Sequence, residues 1–229
     1  VRWQHPELGL LPPGRFIAAA EESRLIVPMG EWILHQACNQ AAAWHCAGLS
    51  IAQVAVNISA IQLQQGKVEQ LVLQALASSQ LPAQMLELEI TESSLLDKTD
   101  QVLDTLKRLK AMGVRLSIDD FGTGYSSLAY LRHLAVDKLK IDQSFVRDLN
   151  GSSDSRAIIT AIVQMARSLG LATIAEGVED NATAHALYEL GCFEVQGYLY
   201  ARPLPAEQLQ AFIEAHLPWP QPNGAAGNT

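Results

Sequence analysis

Seven polar residues close short apolar runs in this chain: Asn57, Glu89, Asp119, Asp120, Lys140, Glu176 and Gln196. Carboxylates brought within a few ångströms repel one another and raise each other's pKa unless a cation neutralises them. Oxygen donors from acids and an amide suit Mg2+ or Mn2+, whereas zinc usually recruits His or Cys. Consecutive Asp119 and Asp120 cannot both point inward from a regular strand, because side chains alternate. They converge if the second lies where strand becomes loop, a departure that Gly122 and Gly124 ease. One acid bridging two metals, with its neighbour on the second, is the two-metal geometry of phosphodiester hydrolysis. The same pair reads equally well as helix caps before the apolar run Leu128–Leu131, and spacing alone leaves both open. Capping explains a single acid after a strand. It explains seven such residues poorly, above all a lysine inside a near-continuous apolar run.

The runs that must position these residues are Val54–Asn57, Leu86–Glu89, Val114–Asp120, Lys138–Lys140, Ala172–Glu176 and Glu194–Gln196. Stretches of helical periodicity separate them, an alternation that predicts βα units around a parallel sheet. Chemistry in such folds gathers at the C-terminal ends of the strands, so the seven residues should meet on one rim. Helices are expected over Phe16–Arg24, Gly30–Trp44, Val68–Ala77, Ser155–Leu169, Ala182–Leu190 and Ala206–Leu217. Asp100 should cap another that carries Val102, Leu103, Leu106 and Leu109 on one face. His5 to Pro13 reads as a Pro/Gly-punctuated loop, and Phe121–Ser127 as an ordered loop beside the acids. Residues 1–217 form one expected domain, and the Pro-, Gly- and Asn-rich 218–229 a flexible tail or linker.

Composition narrows the class. With 48% hydrophobic and 17% charged residues the chain should fold rather than stay disordered. A formal charge of −8 argues against polymeric nucleic acid, which needs clustered Lys and Arg, but not against a small anion held through metals. Cys38, Cys46 and Cys192 have neither metal spacing nor an even disulfide count, which favours a reducing, cytoplasmic setting. None of the six histidines ends a strand. No apolar run approaches the roughly 20 residues of a membrane span, although an upstream segment could tether the parent protein.

Several strings together carry a family resemblance: Leu88-Glu89-Ile90-Thr91-Glu92, Asp119-Asp120-Phe121-Gly122-Thr123-Gly124-Tyr125-Ser126-Ser127-Leu128, Lys138-Leu139-Lys140-Ile141-Asp142, Glu176-Gly177-Val178-Glu179 and Gln196-Gly197-Tyr198. With Arg2-Trp3-Gln4-His5-Pro6 and Asn57-Ile58-Ser59, they resemble the successive motifs of the EAL family, from Val1 to about His216. The resemblance implies a TIM-like (β/α) barrel that hydrolyses the bacterial second messenger cyclic di-GMP to linear pGpG with Mg2+ or Mn2+, two ions in all. By matching position, Asn57, Glu89 and Asp119 would hold the first metal, and Asp119 would bridge to a second that Asp120 also binds. Lys140 would hold the attacking water and neutralise charge near the phosphate; Glu176 would be general base or second-metal partner. Gln196 would orient water or ligands, Glu92 would anchor the 121–127 loop, and Arg2 would contact a substrate phosphate. The resemblance further implies a homodimer formed through the 121–127 region and an upstream sensory or GGDEF-type domain.

One departure accompanies the matches. Family domains open with two strands, the second carrying the Glu-Ala-Leu signature, whereas this sequence starts one residue before the arginine that follows it. The expected barrel is therefore incomplete, with six strands instead of eight, and the 229-residue chain alone should turn over weakly or not at all. Two rival classes remain at this stage. A catalytically inactive cyclic di-GMP-binding domain would usually carry substitutions at the motif positions, which are filled here. Another TIM-barrel enzyme would want a Gly-rich phosphate loop late in the chain, for which Glu176-Gly177-Val178-Glu179 is too acidic.

Overall fold

The computed structural model describes residues 1–95, 100–124, 131–132 and 134–216. It opens on an antiparallel hairpin, β1 (Trp3–His5) and β2 (Gly9–Leu11), where the sequence suggested only a loop. The His5 imidazole closes the turn, its Nδ1 accepting the amides of Glu7 and Leu8 at 3.1 Å each. Trp3 packs edge-on against His5 and Phe16. Helices α1 (Ile17–Glu22) and α2 (Ile26–Cys46) follow, the second starting earlier than expected because Ile26 is buried along with Gly30 and Leu34.

The remaining strands build one parallel sheet. In chain order come β3 (Val54–Ile58), α3 (Ala60–Gln64), α4 (Val68–Ser79), β4 (Leu86–Thr91), α5 (Asp100–Ala111), β5 (Arg115–Phe121) and β6 (Lys138–Ile141). Then follow α6 (Gln143–Arg147), α7 (Ser153–Ser168), β7 (Ala172–Ala175), α8 (Asn181–Glu189), β8 (Glu194–Val195) and α9 (Ala206–His216). Strand order is β3-β4-β5-β6-β7-β8, each neighbour parallel to the next, a partial TIM-like α/β barrel. Among the described residues β3 and β8 do not pair with each other. The inner face is correspondingly open at the β3 edge, where Ala55 and Asn57 are exposed while Val56 and Ile58 are buried.

Strand alternation sorts the two faces. Leu88, Ile90, Leu116, Ile118, Leu139 and Ile141 are at most 1% exposed and form the core with apolar stripes from the helices. Glu87, Glu89, Ser117, Lys138 and Lys140 occupy the alternate positions and are also buried, so the inner face is polar. Helix α5 contributes Val102, Thr105, Leu106 and Leu109 to the core, the i, i+3/i+4 pattern of an amphipathic helix. Side-chain caps fix other helix starts: Ser59 and Gln62 form a capping box on α3, and Ser152 and Asp180 cap α7 and α8. Expected features at 125–130, His133 and the 218–229 tail lie outside the described residues.

Leu106 has no exposed surface. Its truncation in Leu106→Ala should cost about 2–5 kcal/mol of unfolding free energy in urea. A cost below about 1 kcal/mol would show that α5 does not pack as described.

Candidate active site

Lys140 gathers the rim. Its side chain is 4% exposed, and its Nζ lies 2.8 Å from Glu89 Oε1, 2.8 Å from Asp119 Oδ1 and 2.6 Å from Glu176 Oε1. Burial alone would lower the lysine pKa, but the three carboxylates outweigh it and hold the ammonium well above its ordinary range. Asn57 joins from the neighbouring strand, its Nδ2 donating to Glu89 Oε2 at 2.8 Å. Burial raises the Glu89 carboxyl, Lys140 opposes the rise, and Asp119 and Glu176 add to it.

Asp119 and Asp120 do converge, through a feature the sequence did not reveal. The β5–β6 register shifts between Ile118 and Phe121, so β5 carries one extra residue before rejoining the ladder opposite Ile141. This is a β-bulge inside the strand rather than the strand's end, and Asp120 takes a left-handed φ of +53° to make it. Bulges re-aim side chains next to active sites. Carboxylate oxygens of Asp119, Asp120 and Glu176 consequently lie within 4.8 Å of one another. Burial, Asp119, Asp142 and Glu176 together push the Asp120 carboxyl up to about 6. This all-oxygen, mutually repelling donor set is chemically suited to a hard divalent cation.

Glu92 reaches the loop after β5. Buried at 3% exposure, its Oε2 accepts the amides of Gly122 at 2.9 Å and Gly124 at 3.4 Å. Gly122 adopts φ +101°, which favours glycine, and a Cβ on Gly124 would stand 2.8 Å from Glu92 Oε1 and push the carboxylate that holds this loop. Gln196 immediately follows β8, its amide continuing the ladder to Ala175 O at 2.8 Å, which sets it at the same end of the sheet with its side chain exposed. Arg2 stands apart: it is exposed just before β1, and its Nη1 donates to the Val1 carbonyl at 2.7 Å.

Asp142 was missed as a site residue. It follows β6, accepts the Ser144 amide at 2.9 Å as the cap of α6, and is one of the acids whose charge raises the Asp120 carboxyl. Although burial opposes this, its hydrogen bonds to Ser144, Asp120 and Gln143 hold its carboxyl below the usual range. Its signal was present, an acid directly after the apolar β6 run, but Lys140 two residues earlier drew the strand-end assignment.

A parallel α/β sheet with a cation-competent acid cluster and a buried lysine at its C-terminal rim places this chain in the class of TIM-like α/β barrels, with its candidate site at the strand ends. Within that class the chain belongs to the EAL domain family, whose model matches residues 1–203. It is 46% identical over 213 residues to the bifunctional diguanylate cyclase/cyclic di-GMP phosphodiesterase MucR of Pseudomonas aeruginosa, covering 93% of this chain and 31% of that protein. It is also 46% identical over 216 residues to the cyclic di-GMP phosphodiesterase NbdA of the same organism, covering 94% of this chain and 28% of that protein. The chain thus spans about a third or less of these relatives. The structure of the PaMucR phosphodiesterase in complex with c-di-GMP superposes with a TM-score of 0.88 at 47% identity, covering 91% of this chain and 84% of that one. Among the described residues no helix is long and apolar enough to cross a membrane.

The Asp120 carboxyl at about 6 has a pH consequence. A raised acid pKa means that stability of the cation-free fold is lost as pH rises from the ordinary carboxylate range through about 6, while cation binding requires the proton to leave. Mn2+ affinity by calorimetry should therefore fall as pH drops below about 6, approaching roughly tenfold per pH unit for one displaced proton, and level off above it. Affinity independent of pH between 5 and 8 would contradict the assignment.

Proposed function

We propose that this domain hydrolyses one phosphodiester bond of cyclic di-GMP, yielding linear pGpG. The observation that carries the reading is the buried Lys140 ammonium held against Glu89, Asp119 and Glu176, beside the 4.8 Å cluster of Asp119, Asp120 and Glu176. Family membership and the similarity to proteins named as cyclic di-GMP phosphodiesterases support the substrate.

In this reading Asn57, Glu89, Asp119 and Asp120 hold two divalent ions, Mg2+ or Mn2+. Bound there, the ions supply Lewis-acid polarisation of the phosphoryl group and a more acidic water. The protein's own residues do the rest. Glu176, lying against both Lys140 and the Asp119–Asp120 pair, acts as general base toward the attacking water or as a partner of the second ion. Water oxygen bonds to phosphorus as the bond to the 3′-oxygen breaks, and the proton ends on that 3′-oxygen. Lys140 offsets the charge building on the phosphoryl oxygens, a contribution larger in the transition state than in the ground state. Glu92 fixes the Gly122–Gly124 backbone, and Gln196 orients water at the rim. Arg2 offers a fork of donors to a substrate phosphate. The domain works as a homodimer through the 121–127 region, within a longer cytoplasmic protein carrying an upstream sensory or cyclase domain.

Lys140→Ala, made in a protein carrying the whole domain and assayed at saturating Mg2+, should lower kcat by roughly 100-fold or more. Its Kd for cyclic di-GMP should change much less. An unchanged kcat would remove Lys140 from the mechanism and leave it a partner for surplus carboxylates.

A further inference from the structure

A second buried lysine lies one layer below the first. Lys138 is 4% exposed, with its Nζ 3.2 Å from Glu87 Oε2 on β4 and 2.8 Å from Glu194 Oε2 on β8. Glu87 is itself 2% exposed and accepts from Gln53 Nε2 at 2.5 Å. Lys138 on β6 therefore reaches two strands away in each direction, about 10 Å at the usual strand spacing. Its register neighbours leave room for that reach, since they are Ser117 on β5 and Ala172 on β7, both small.

The ends of this bridge are placed tellingly. Glu87 lies two residues before Glu89 on the same strand face, and Glu194 lies two residues before Gln196. Strand β8 is two residues long and pairs only with β7 among the described residues, so its ladder holds it weakly. We propose that Lys138 is a positioning residue: its bridge from Glu87 to Glu194 fixes the spacing between the strand presenting Glu89 and the strand leading into Gln196. The kinetic part of the test rests on the hydrolytic reading above; the exchange part does not.

A merely structural ion pair makes a different forecast. Removing one partner of a buried pair is destabilising, whereas replacing both by apolar residues is often neutral. The double variant Lys138→Met/Glu87→Met removes both buried charges and cuts the tie to β8. Glu194→Ala cuts the same tie from a side chain that is 51% exposed, so it keeps the test alive if the double variant fails to fold. Both should melt within a few degrees of the unsubstituted protein. In both, exchange of the Gln196 amide, which donates to Ala175 O, should rise roughly tenfold while β4 amides stay protected. In both, kcat on cyclic di-GMP should fall roughly tenfold with KM changed less than about twofold, the size of effect seen when a contact orienting a site group is lost. Lys138→Arg, which keeps the charge and both partners, should leave both readouts near those of the unsubstituted protein. If either tie-cutting variant folds with unchanged Gln196 exchange and unchanged kcat, the proposal is overturned. The kinetic arm uses a protein carrying the whole domain; if that unsubstituted protein does not cleave cyclic di-GMP, the functional reading fails, and amide exchange alone decides the role of Lys138.

Discussion

Three carboxylates cannot share one rim unless positive charge sits among them, and in this fold that charge is the Lys140 ammonium. Glu89, Asp119 and Glu176 come from three different strands or strand ends, and all three bond to the same Nζ. The sheet must therefore hold β4, β5, β6 and β7 in a register that brings these levels together, and the observed pairing does so. In this structure the lysine serves as counter-charge to the acids.

The inner face repeats the device. A lysine on β6 neutralises acids on β4 and on a later strand at both levels, Lys138 below and Lys140 above. Buried lysines with such partners are costly to assemble and weak as sources of stability. What they contribute is geometry, since each acid must meet a single nitrogen. The apolar outer face, with Leu139 and Ile141 fully buried, supplies the stability that lets the inner face stay polar.

Much of this was legible because strand periodicity is simple. Apolar runs ending on polar residues named the six strands of the sheet. What escaped had short or non-local signals. The β1–β2 hairpin consists of three-residue strands, with Leu8 of the turn and Leu10 of β2 both exposed, so no buried run announces it. Helix α3 is only five residues long, although its Ser59-x-x-Gln62 capping box was written in the chain. The bulge at Asp119–Asp120 depends on how β5 and β6 pair, and no residue pattern within β5 encodes that. The Lys138–Glu194 bridge likewise became visible only once strands distant in sequence stood side by side.

The central claim is that the Lys140 charge holds the acid cluster together and that a divalent cation acts on the same carboxylates. Thermal unfolding of Lys140→Met beside the unsubstituted protein, with chelator and with saturating Mn2+, tests it most directly. Leaving buried carboxylates without their partner should cost about 3–5 kcal/mol, a fall of at least about 6 °C in Tm with chelator. Mn2+ should then raise the Tm of the variant by more than it raises that of the unsubstituted protein. Equal melting temperatures in chelator, or an equal Mn2+ shift in both proteins, would contradict the account.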